Sequence, residues 1–507
     1  MMNKKYYLTT AIAYSSAIPH IGNVYEAILA DAIVRFKRLE GYDVLFQTGT
    51  DEHGQKIESK AEANGLSPQA YVDHISSEIK RIYDKVGVSY DKFIRTTDED
   101  HVKAVQAIFK KLYEQGDIYL GEYEGWYSVS EEAFILEKDI VDGKAPNGDI
   151  PVWTKEAAYF LKLAPYQERL VKHIEDHPEF IEPESRRNEM LQNFLKEPLP
   201  DLSVSRSSFT WGVPVEFDPG HVVYVWIDAL SNYITGLGYH PDQPLSDKYQ
   251  SYWPADVHLI GKDILRFHTI YWPIILMALG LELPKQVFGH PWILVNKGKM
   301  SKSIGNVMYT DDLVRYFGVD AVRYYVLHEI PFAQDGNITF ELLIERNNSD
   351  LANTIGNLVN RTIGMFHKYR EGKVRKLILP EPFELSLSEK ALGALPKMKE
   401  LMDQLKVADA LEEVVILARH ANKYIDLSEP WALFRNPEKQ DALDHVLYHL
   451  LETIRFVAVL LQPYIPETSK RIAEQIGVTD LSFESIEVFG KIENCTLGKP
   501  EVLFERY

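Results

Sequence analysis

Cysteine is almost absent from this chain of 507 residues, since Cys495 is the single one. One thiol cannot form an internal disulfide, and it cannot supply the paired thiolates of a CxxC metal knuckle. A chain without a disulfide framework is typical of a reducing compartment. We therefore expect a cytoplasmic protein.

The chain also lacks a long apolar run. The longest, Trp272 to Leu281, falls well short of the roughly 20 residues that a helix needs to cross a bilayer. Tyr6 to Ala13 follows two lysines, as the apolar part of a signal peptide would, but Thr9 and Thr10 interrupt it. That segment also continues directly into the first motif described below. We expect neither a membrane partner nor a cleaved signal.

The chain also has no excess of positive charge. The formal net charge is −19, with 55 Lys and Arg against 74 Asp and Glu. Such a charge repels nucleic acid in general. DNA is therefore not an expected partner, and an RNA would have to dock on a specific local surface.

What the chain does contain begins with the pattern of a parallel α/β fold. Lys5 to Ala13 predicts a buried strand, Gly22 to Leu39 a helix, and Asp43 to Thr48 a second strand. A similar series returns later, with a strand over 256–260, a helix over 263–279 and a strand over 286–295. Strand–helix–strand units of this length predict a parallel nucleotide-binding sheet of Rossmann type.

The segments between and after these units read differently. Residues 121–210 combine mixed charge, short predicted strands and turn signals such as Asp142-Gly143. They predict an α+β insertion that splits the nucleotide-binding domain into two halves. From Phe340 onward the pattern predicts helices throughout, with Pro380 to Pro382 as a connection between two of them.

The first chemical motif is Ala17-Ile18-Pro19-His20-Ile21-Gly22-Asn23. His20 and Asn23 lie just before and inside the first turn of a predicted helix, whose N-terminus attracts phosphate through unpaired N–H groups and its dipole. His20 would add a donor, and Gly22 would let the backbone approach closely. The alternative is a histidine that only caps the helix.

The second motif is Lys299-Met300-Ser301-Lys302-Ser303, which follows the turn signal Asn296-Lys297-Gly298. A loop with several lysines can neutralise charge that develops on a triphosphate. The alternative is a solvated basic turn. Together, in this order and each after a predicted strand, the two motifs indicate an ATP site.

The two motifs resemble the HIGH and KMSKS signatures of class I aminoacyl-tRNA synthetases, and over nearly its whole length the chain resembles the methionyl-tRNA synthetases. The stretches that carry this narrower resemblance are 9–14 (TTAIAY), 48–54 (TGTDEHG), 222–229 (VVYVWIDA), 260–268 (IGKDILRFH) and 424–431 (YIDLSEPW).

The resemblance implies roles for individual residues. Asp51 would hold the α-ammonium of the substrate, Gly261 and Asp263 would approach the ATP ribose, and His20, Gly22, Asn23, Lys299 and Lys302 would serve the phosphates. The residues implied for the methionine side-chain pocket are Ile12, Tyr14, Trp226, Ala229, Tyr233, Ile264 and His268. An aromatic wall suits a polarisable thioether. Taken singly, each aromatic could be ordinary core, His268 a buried core histidine, and Asp263 a helix cap.

The resemblance also implies the domain order. The nucleotide-binding domain would occupy 1–120 and 216–325, with the connective insertion at 121–215. A linking region at 326–360 would lead to an all-α helix-bundle anticodon-binding domain at 361–507. There Trp431 would stack on an anticodon base, and Asn357 and Arg361, four residues apart and so on one helix face, would contact base edges. The alternative for these three is a surface pair and a buried tryptophan.

Two departures from the family pattern matter. Many relatives carry a zinc knuckle in the insertion, but here Ser128 and Glu131 stand where cysteines would be, so we expect no bound zinc and no other metal site. The first motif ends in Asn23 where a second histidine is usual, which keeps a hydrogen-bond donor.

The activity that the resemblance implies is ATP-dependent formation of methionyl-adenylate and transfer of the methionyl group to the 3′ end of tRNA(Met), for initiation and elongation of translation. ATP would enter with Mg²⁺ as substrate. The alternatives are a class I synthetase for leucine, isoleucine, valine or cysteine, and a non-catalytic tRNA-binding paralogue. Because no dimerising module follows the helical region, a monomer is expected.

Overall fold

The computed structural model describes residues 4–128, 133–135, 137, 140–145, 148–295, 298–300, 307–380 and 386–507. Its strands are β1 Lys5–Thr10, β2 Ala13–Tyr14, β3 Asp43–Asp51, β4 Lys92–Arg95, β5 Ile118–Ser128, β6 Ala133–Ile135, β7 Val152–Leu161, β8 Ile181–Glu182, β9 Leu202–Ser203, β10 Ser205–Arg206, β11 Val213–Pro214, β12 Val222–Val223, β13 Val257–Gly261, β14 Val287–His290, β15 Ile293–Val295, β16 Gly298–Lys299 and β17 Gly336–Asn337.

The α-helices follow the same chain order. They are α1 Ile21–Leu39, α2 Gln55–Ala63, α3 Pro68–Lys85, α4 Glu99–Glu114, α5 Ala164–Asp176, α6 Glu184–Asn193, α7 Val225–Thr235, α8 Asp247–Tyr252, α9 Trp272–Leu279, α10 Thr310–Phe317, α11 Val319–His328, α12 Phe340–Arg346, α13 Asn357–Arg370, α14 Leu387–Asp403, α15 Val407–Ser428, α16 Pro430–Arg435, α17 Gln440–Leu461 and α18 Pro466–Ile476. None that the structure describes has the length and apolar character to cross a membrane.

The chain divides into two units. Unit 1 consists of Met1–Pro19, Asp43–Asp84 and Ser89–His290, and unit 2 of His20–Tyr42, Lys85–Val88 and Pro291–Tyr507.

Unit 1 is built on a parallel sheet. Seven of the described strands form it in the order β2-β3-β1-β13-β14-β8, with β4 also paired to β3, and each of these pairs is parallel. Its core contains fully buried aromatics such as Tyr7, Phe109 and Trp272. The predicted Rossmann-type α/β class is confirmed.

The insertion is more regular than predicted. Short strands such as β6 and β9 are present as predicted, but β5 and β7 form a long antiparallel ladder from Ile118↔Leu161 to Tyr127↔Val152. Tyr, Trp, Phe and Val along these strands favour a pleated surface over a loop. The predicted turn at Asp142-Gly143 is present, with positive φ at both residues, as a two-residue hairpin turn requires.

Three predicted elements of the nucleotide-binding halves are wrong in extent. The strand predicted to run from Lys5 to Ala13 ends at Thr10 and resumes as β2. The strand predicted over 286–295 is two strands in different sheets, β14 and β15, because Pro291 between them has no N–H for a ladder. The helix predicted over 263–279 is a 3₁₀ turn, a π-helix at Phe267–Tyr271 and then α9.

Unit 2 is mainly helical and packs around α17. Every residue from Leu443 to Leu461 is buried, as expected of a central helix, and α13, α14, α15 and α18 pack on it. The predicted helices from Phe340 onward are present, but the prediction that the chain stays helical is wrong. After α18 ends at Ile476, the short 3₁₀ helix Phe483–Ile486 is the only helix among the described residues. Pro380 lies in a non-helical connection, as predicted, whereas 381–385 lie outside the described residues.

Candidate active site

His20 caps the first long helix of unit 2. Its Nδ1 accepts the backbone N–H of Gly22 at 3.1 Å, and the N–H of His20 donates to Asn23 Oδ1 at 3.3 Å. This reciprocal capping box shows that His20 caps α1. The cap uses Nδ1, and a neutral ring that accepts at Nδ1 carries its proton on Nε2, so Nε2 is then the ring's donor.

The described part of the second motif lies against the same helix start. A Cβ on Gly22 would lie 3.0 Å from Met300 Cε and 3.0 Å from the His20 ring, so a side chain here would have to displace both neighbours. The N–H of Ile21 donates to the carbonyl of Met308 at 3.0 Å. The two motifs, some 280 residues apart in sequence, are therefore in contact. Lys302 lies outside the described residues, and of Lys299 only the backbone, in β16, is described.

In unit 1, Tyr14 and Asp51, both predicted to bind methionine, lie side by side at the carboxyl end of β3. Tyr14 of β2 pairs with Asp51, the last residue of β3, and the N–H of Ser15 donates to the Asp51 carbonyl at 2.8 Å. Asp51 is buried, and Ile12 and Tyr14 are half-buried. The carboxyl end of a parallel strand is where α/β folds bind ligands.

The remaining predicted pocket residues come from α7 and from the segment after β13. Trp226, Ala229 and Tyr233 lie at helical spacing on one face of α7. The Tyr233 hydroxyl lies 2.6 Å from His268 Nε2, and His268 Nδ1 lies 2.9 Å from the carbonyl of Ile264. Burial lowers the pKa of His268 to about 4. The ring is therefore neutral near pH 7, donates from Nδ1 and accepts from the tyrosine.

Phe267 belongs to this group, although sequence reasoning did not single it out. Its ring stacks on Trp226 with centroids 3.5 Å apart and an interplanar angle of 9°. Phe267 opens the π-helix that replaces the predicted α-helix, and short π-helices are frequent at functional sites. Phe267 could have been found from the sequence because it lies in 260–268, one of the stretches that carry the family resemblance.

Gly261 and Asp263 also come together. A Cβ on Gly261 would lie 2.7 Å from Asp263 Oδ1, and Gly261 pairs with His290 at the carboxyl ends of β13 and β14. The alternative that Asp263 caps a helix is wrong, because Gly261 holds the N-cap position of the 3₁₀ turn and Asp263 lies within it.

A buried carboxylate beside this pocket was also missed. Asp228 Oδ2 lies 2.7 Å from His53 Nδ1, and Asp228 Oδ1 lies 2.8 Å from His101 Nε2. Asp228 stands between Trp226 and Ala229, and His53 follows Asp51 by two residues, so both fall in stretches that carry the family resemblance. Their pairing has no local sequence signal.

The three predicted anticodon residues lie on neighbouring helices of unit 2. Asn357 and Arg361 are on α13, where Asn357 Nδ2 donates to Asn422 Oδ1 at 3.3 Å and Arg361 Nη2 donates to Asp426 Oδ1 at 3.1 Å. Trp431 lies in the first turn of α16 and is 37% exposed. The alternative of a buried tryptophan is therefore wrong.

The predicted metal-free insertion is described only in part. Ser128 ends β5, and its Oγ donates to Asp149 Oδ2 at 2.9 Å, whereas Glu131 lies outside the described residues. Within the described ranges no group of His, Cys, Asp and Glu side chains could hold a metal ion.

Comparisons with known proteins agree with this geometry. A family model described as "tRNA synthetases class I (M)" matches residues 6–150 and 144–363, and one described as "Anticodon binding domain of methionyl tRNA ligase" matches residues 380–506. The methionine–tRNA ligase of Clostridium acetobutylicum is 54% identical over 505 residues, covering 99% of this chain and 78% of the relative. That of Bacillus subtilis is 47% identical over 521 residues, covering 99% and 78%.

A solved structure gives the same result. Mycobacterium tuberculosis methionyl-tRNA synthetase in complex with methionyl-adenylate is similar with a TM-score of 0.95 at 42% identity, covering 99% of this chain and all of that chain. A parallel nucleotide-binding sheet with these two motifs defines the class, the class I aminoacyl-tRNA synthetases. Within it, the chain belongs to the methionyl-tRNA synthetase family.

Proposed function

We propose that this chain activates L-methionine with ATP to methionyl-adenylate and transfers the methionyl group to the 3′ end of tRNA(Met), for initiation and elongation of translation. The observation that carries the proposal is similarity over 99% of this chain to a methionine–tRNA ligase and to a solved relative in complex with methionyl-adenylate. ATP enters with Mg²⁺ on its phosphates.

We assign the methionine-binding role to the residues grouped in unit 1. The Asp51 carboxylate would bind the α-ammonium. The thioether would lie against Trp226 and Tyr233, with Ile12, Tyr14, Ala229, Ile264 and His268 completing the wall. A neutral His268 that is already paired with Tyr233 supports this role, because it adds no charge where an uncharged side chain must bind.

The ATP-binding role falls to the two motifs and to Gly261 and Asp263. In the first step a methionine carboxylate oxygen attacks the α-phosphorus, and the α–β P–O bond breaks with pyrophosphate as the leaving group. His20, Asn23, Lys299 and Lys302 would stabilise the charge that develops on the phosphates. In the second step a ribose hydroxyl of the tRNA attacks the adenylate carbonyl, loses its proton and displaces AMP.

Amino-acid-dependent ATP–pyrophosphate exchange, measured with all twenty amino acids, tests the proposal. Methionine should support exchange far better than leucine, isoleucine or cysteine, because a pocket of Trp, Tyr and Ile loses contact with shorter side chains and clashes with branched ones. A higher exchange rate with leucine or cysteine than with methionine would assign the chain to another substrate.

Trp431→Ala should separate the two half-reactions. An exposed aromatic ring in the anticodon-binding region would contribute about 1–3 kcal/mol by stacking on a base. The KM for tRNA in aminoacylation should therefore rise by about 5- to 150-fold, while exchange without tRNA stays near wild type.

The matched control for Trp431→Ala is Ile416→Ala, which removes an exposed apolar side chain from α15. This control should leave both reactions unchanged. Equal loss of exchange and aminoacylation in Trp431→Ala, together with a lower melting temperature, would instead mean that Trp431 stabilises the fold and does not recognise tRNA.

We also propose that no zinc is bound in the insertion, since the chain has one cysteine and it lies at position 495. Metal analysis of the purified protein should give substoichiometric zinc, and activity should survive chelation once Mg²⁺ is restored. Stoichiometric zinc that resists dialysis would contradict this. The cytoplasmic location, the monomer and the five domain boundaries stay predictions.

A further inference from the structure

Asp228 is a fully buried carboxylate that joins three separate parts of unit 1. Its two oxygens accept from His53 Nδ1 and His101 Nε2, at 2.7 and 2.8 Å. His101 Nδ1 lies 2.7 Å from Thr235 Oγ1, so His101 on α4 also contacts the C-terminal end of α7. The connected parts are α7, α4 and the segment after β3.

The charge on Asp228 is stabilised by this arrangement. Burial alone would raise its pKa, but the two imidazoles outweigh burial and lower the pKa of Asp228 to about 2. The carboxylate is therefore ionised at neutral pH and accepts one N–H on each oxygen. Charge-assisted bonds of this kind are the stronger ones in proteins.

The segment that carries His53 is held from its other side by Trp211. The Trp211 indole N–H donates to the carbonyl of Glu52 at 2.6 Å, and the N–H of Gly54 donates to the Trp211 carbonyl at 3.0 Å. The His53 and Trp211 rings meet edge to face with centroids 5.5 Å apart. The backbone that follows Asp51 is thus fixed by hydrogen bonds on both sides of His53.

The bond from His53 to Asp228 links two segments that carry proposed methionine contacts. Asp51, assigned to the α-ammonium, lies two residues before His53. Trp226 and Ala229, assigned to the side chain, flank Asp228 on the first turns of α7. One carboxylate therefore couples the two segments that would bind the two ends of the same amino acid.

We infer that Asp228 is a positioning residue for methionine, which through His53 and His101 holds the first turns of α7 in register with Asp51 at the end of β3. The inference rests on the proposed function. It predicts that loss of the carboxylate weakens binding of methionine and leaves binding of ATP unchanged.

The test compares Asp228→Ala and Asp228→Asn with a control, Asp256→Asn. Asp256 is another structural carboxylate of unit 1, which accepts from the Tyr7 N–H and pairs with Lys285, both at 2.7 Å. For each variant, exchange is measured at varied methionine and varied ATP, and rates are normalised to active sites titrated by adenylate formation. Melting temperatures are measured in parallel.

The Asp228 variants should raise the methionine KM by 10- to 100-fold with the ATP KM within twofold, and Asp256→Asn should leave both KM values within twofold. His53→Ala should raise the methionine KM similarly, and the Asp228→Ala/His53→Ala double variant should have a methionine KM no higher than that of Asp228→Ala.

A fold-stabilising role alone would lower the active fraction and the melting temperature with normal KM values, and that result would overturn the inference. If Asp228→Ala does not fold, the methionine and ATP KM values of Asp228→Asn decide between the two roles. Wild type without methionine-dependent exchange would instead refute the proposed function, and the inference with it.

Discussion

Replacement of Asp51 by asparagine is expected to lower kcat/KM for methionine in the exchange reaction by about 100- to 4,000-fold, mainly by raising the KM for methionine. Asp51 is buried at the end of β3, and the substrate ammonium would be its ionic partner. Removing one member of a buried ion pair typically costs about 3–5 kcal/mol, and each 1.4 kcal/mol corresponds to tenfold. Steady-state exchange at varied methionine measures the effect.

Two inhibitors show whether the loss concerns the ammonium. Methioninol keeps the ammonium and lacks the carboxylate, whereas 4-(methylthio)butanoate keeps the carboxylate and lacks the ammonium. Asp51→Asn should weaken inhibition by methioninol strongly and inhibition by the butanoate little. The control Asp256→Asn should alter neither. Unchanged inhibition by methioninol in Asp51→Asn would remove Asp51 from ammonium binding.

The parts of the fold that could be predicted are those that depend on the local pattern of apolar and polar residues. A buried strand, an amphipathic helix and a second strand within the first 50 residues predicted the parallel sheet, and unit 1 contains it. The order of the two ATP motifs predicted the class of enzyme. Even the capping role of His20 follows from the helix boundary, since His20 directly precedes α1.

What could not be predicted depends on contacts between distant residues. His53 and His101 lie 175 and 127 residues from Asp228 in sequence, and no spacing rule connects them. The stack of Phe267 on Trp226 requires the π-helix, whose extra residue per turn changes which side chains share a face. An amphipathic pattern read at 3.6 residues per turn predicts an unbroken α-helix there.

That α1 belongs to unit 2 could not be predicted from the sequence either. Read locally, α1 is the crossover between β1 and β3, and so part of the sheet domain. In the structure its start bonds to Met308 and its middle contributes Asp31, which pairs with Arg323 of α11. A buried charge in the middle of an apolar helix indicates a partner but does not identify it.

The second large effect is expected on stability, from Arg323→Met. The Arg323 side chain is fully buried, with Nη2 2.7 Å from Asp31 Oδ2 and with Nε and Nη1 donating to the carbonyls of Tyr464 and Val86 at 2.8 and 3.0 Å. Methionine occupies similar volume but supplies no donor. Asp31 would keep its bond to Arg35 but lose its buried partner, and the carbonyls of Tyr464, Val86 and Pro463, to which Nη2 also donates at 3.3 Å, would lose their donor.

We expect Arg323→Met to lower the free energy of unfolding by about 3–5 kcal/mol, the cost typical of leaving a buried charge without its partner. Urea unfolding followed by circular dichroism, with proteolysis to locate the opened segment, measures it. The control Arg315→Met removes an exposed arginine from α10, with 67% of its side chain accessible and paired to Asp312, and should change stability by no more than about 0.5 kcal/mol. Equal small losses in both variants would mean that the Asp31–Arg323 pair contributes no more than a surface ion pair, because its Coulomb attraction and hydrogen bonds only offset the desolvation of two buried charges.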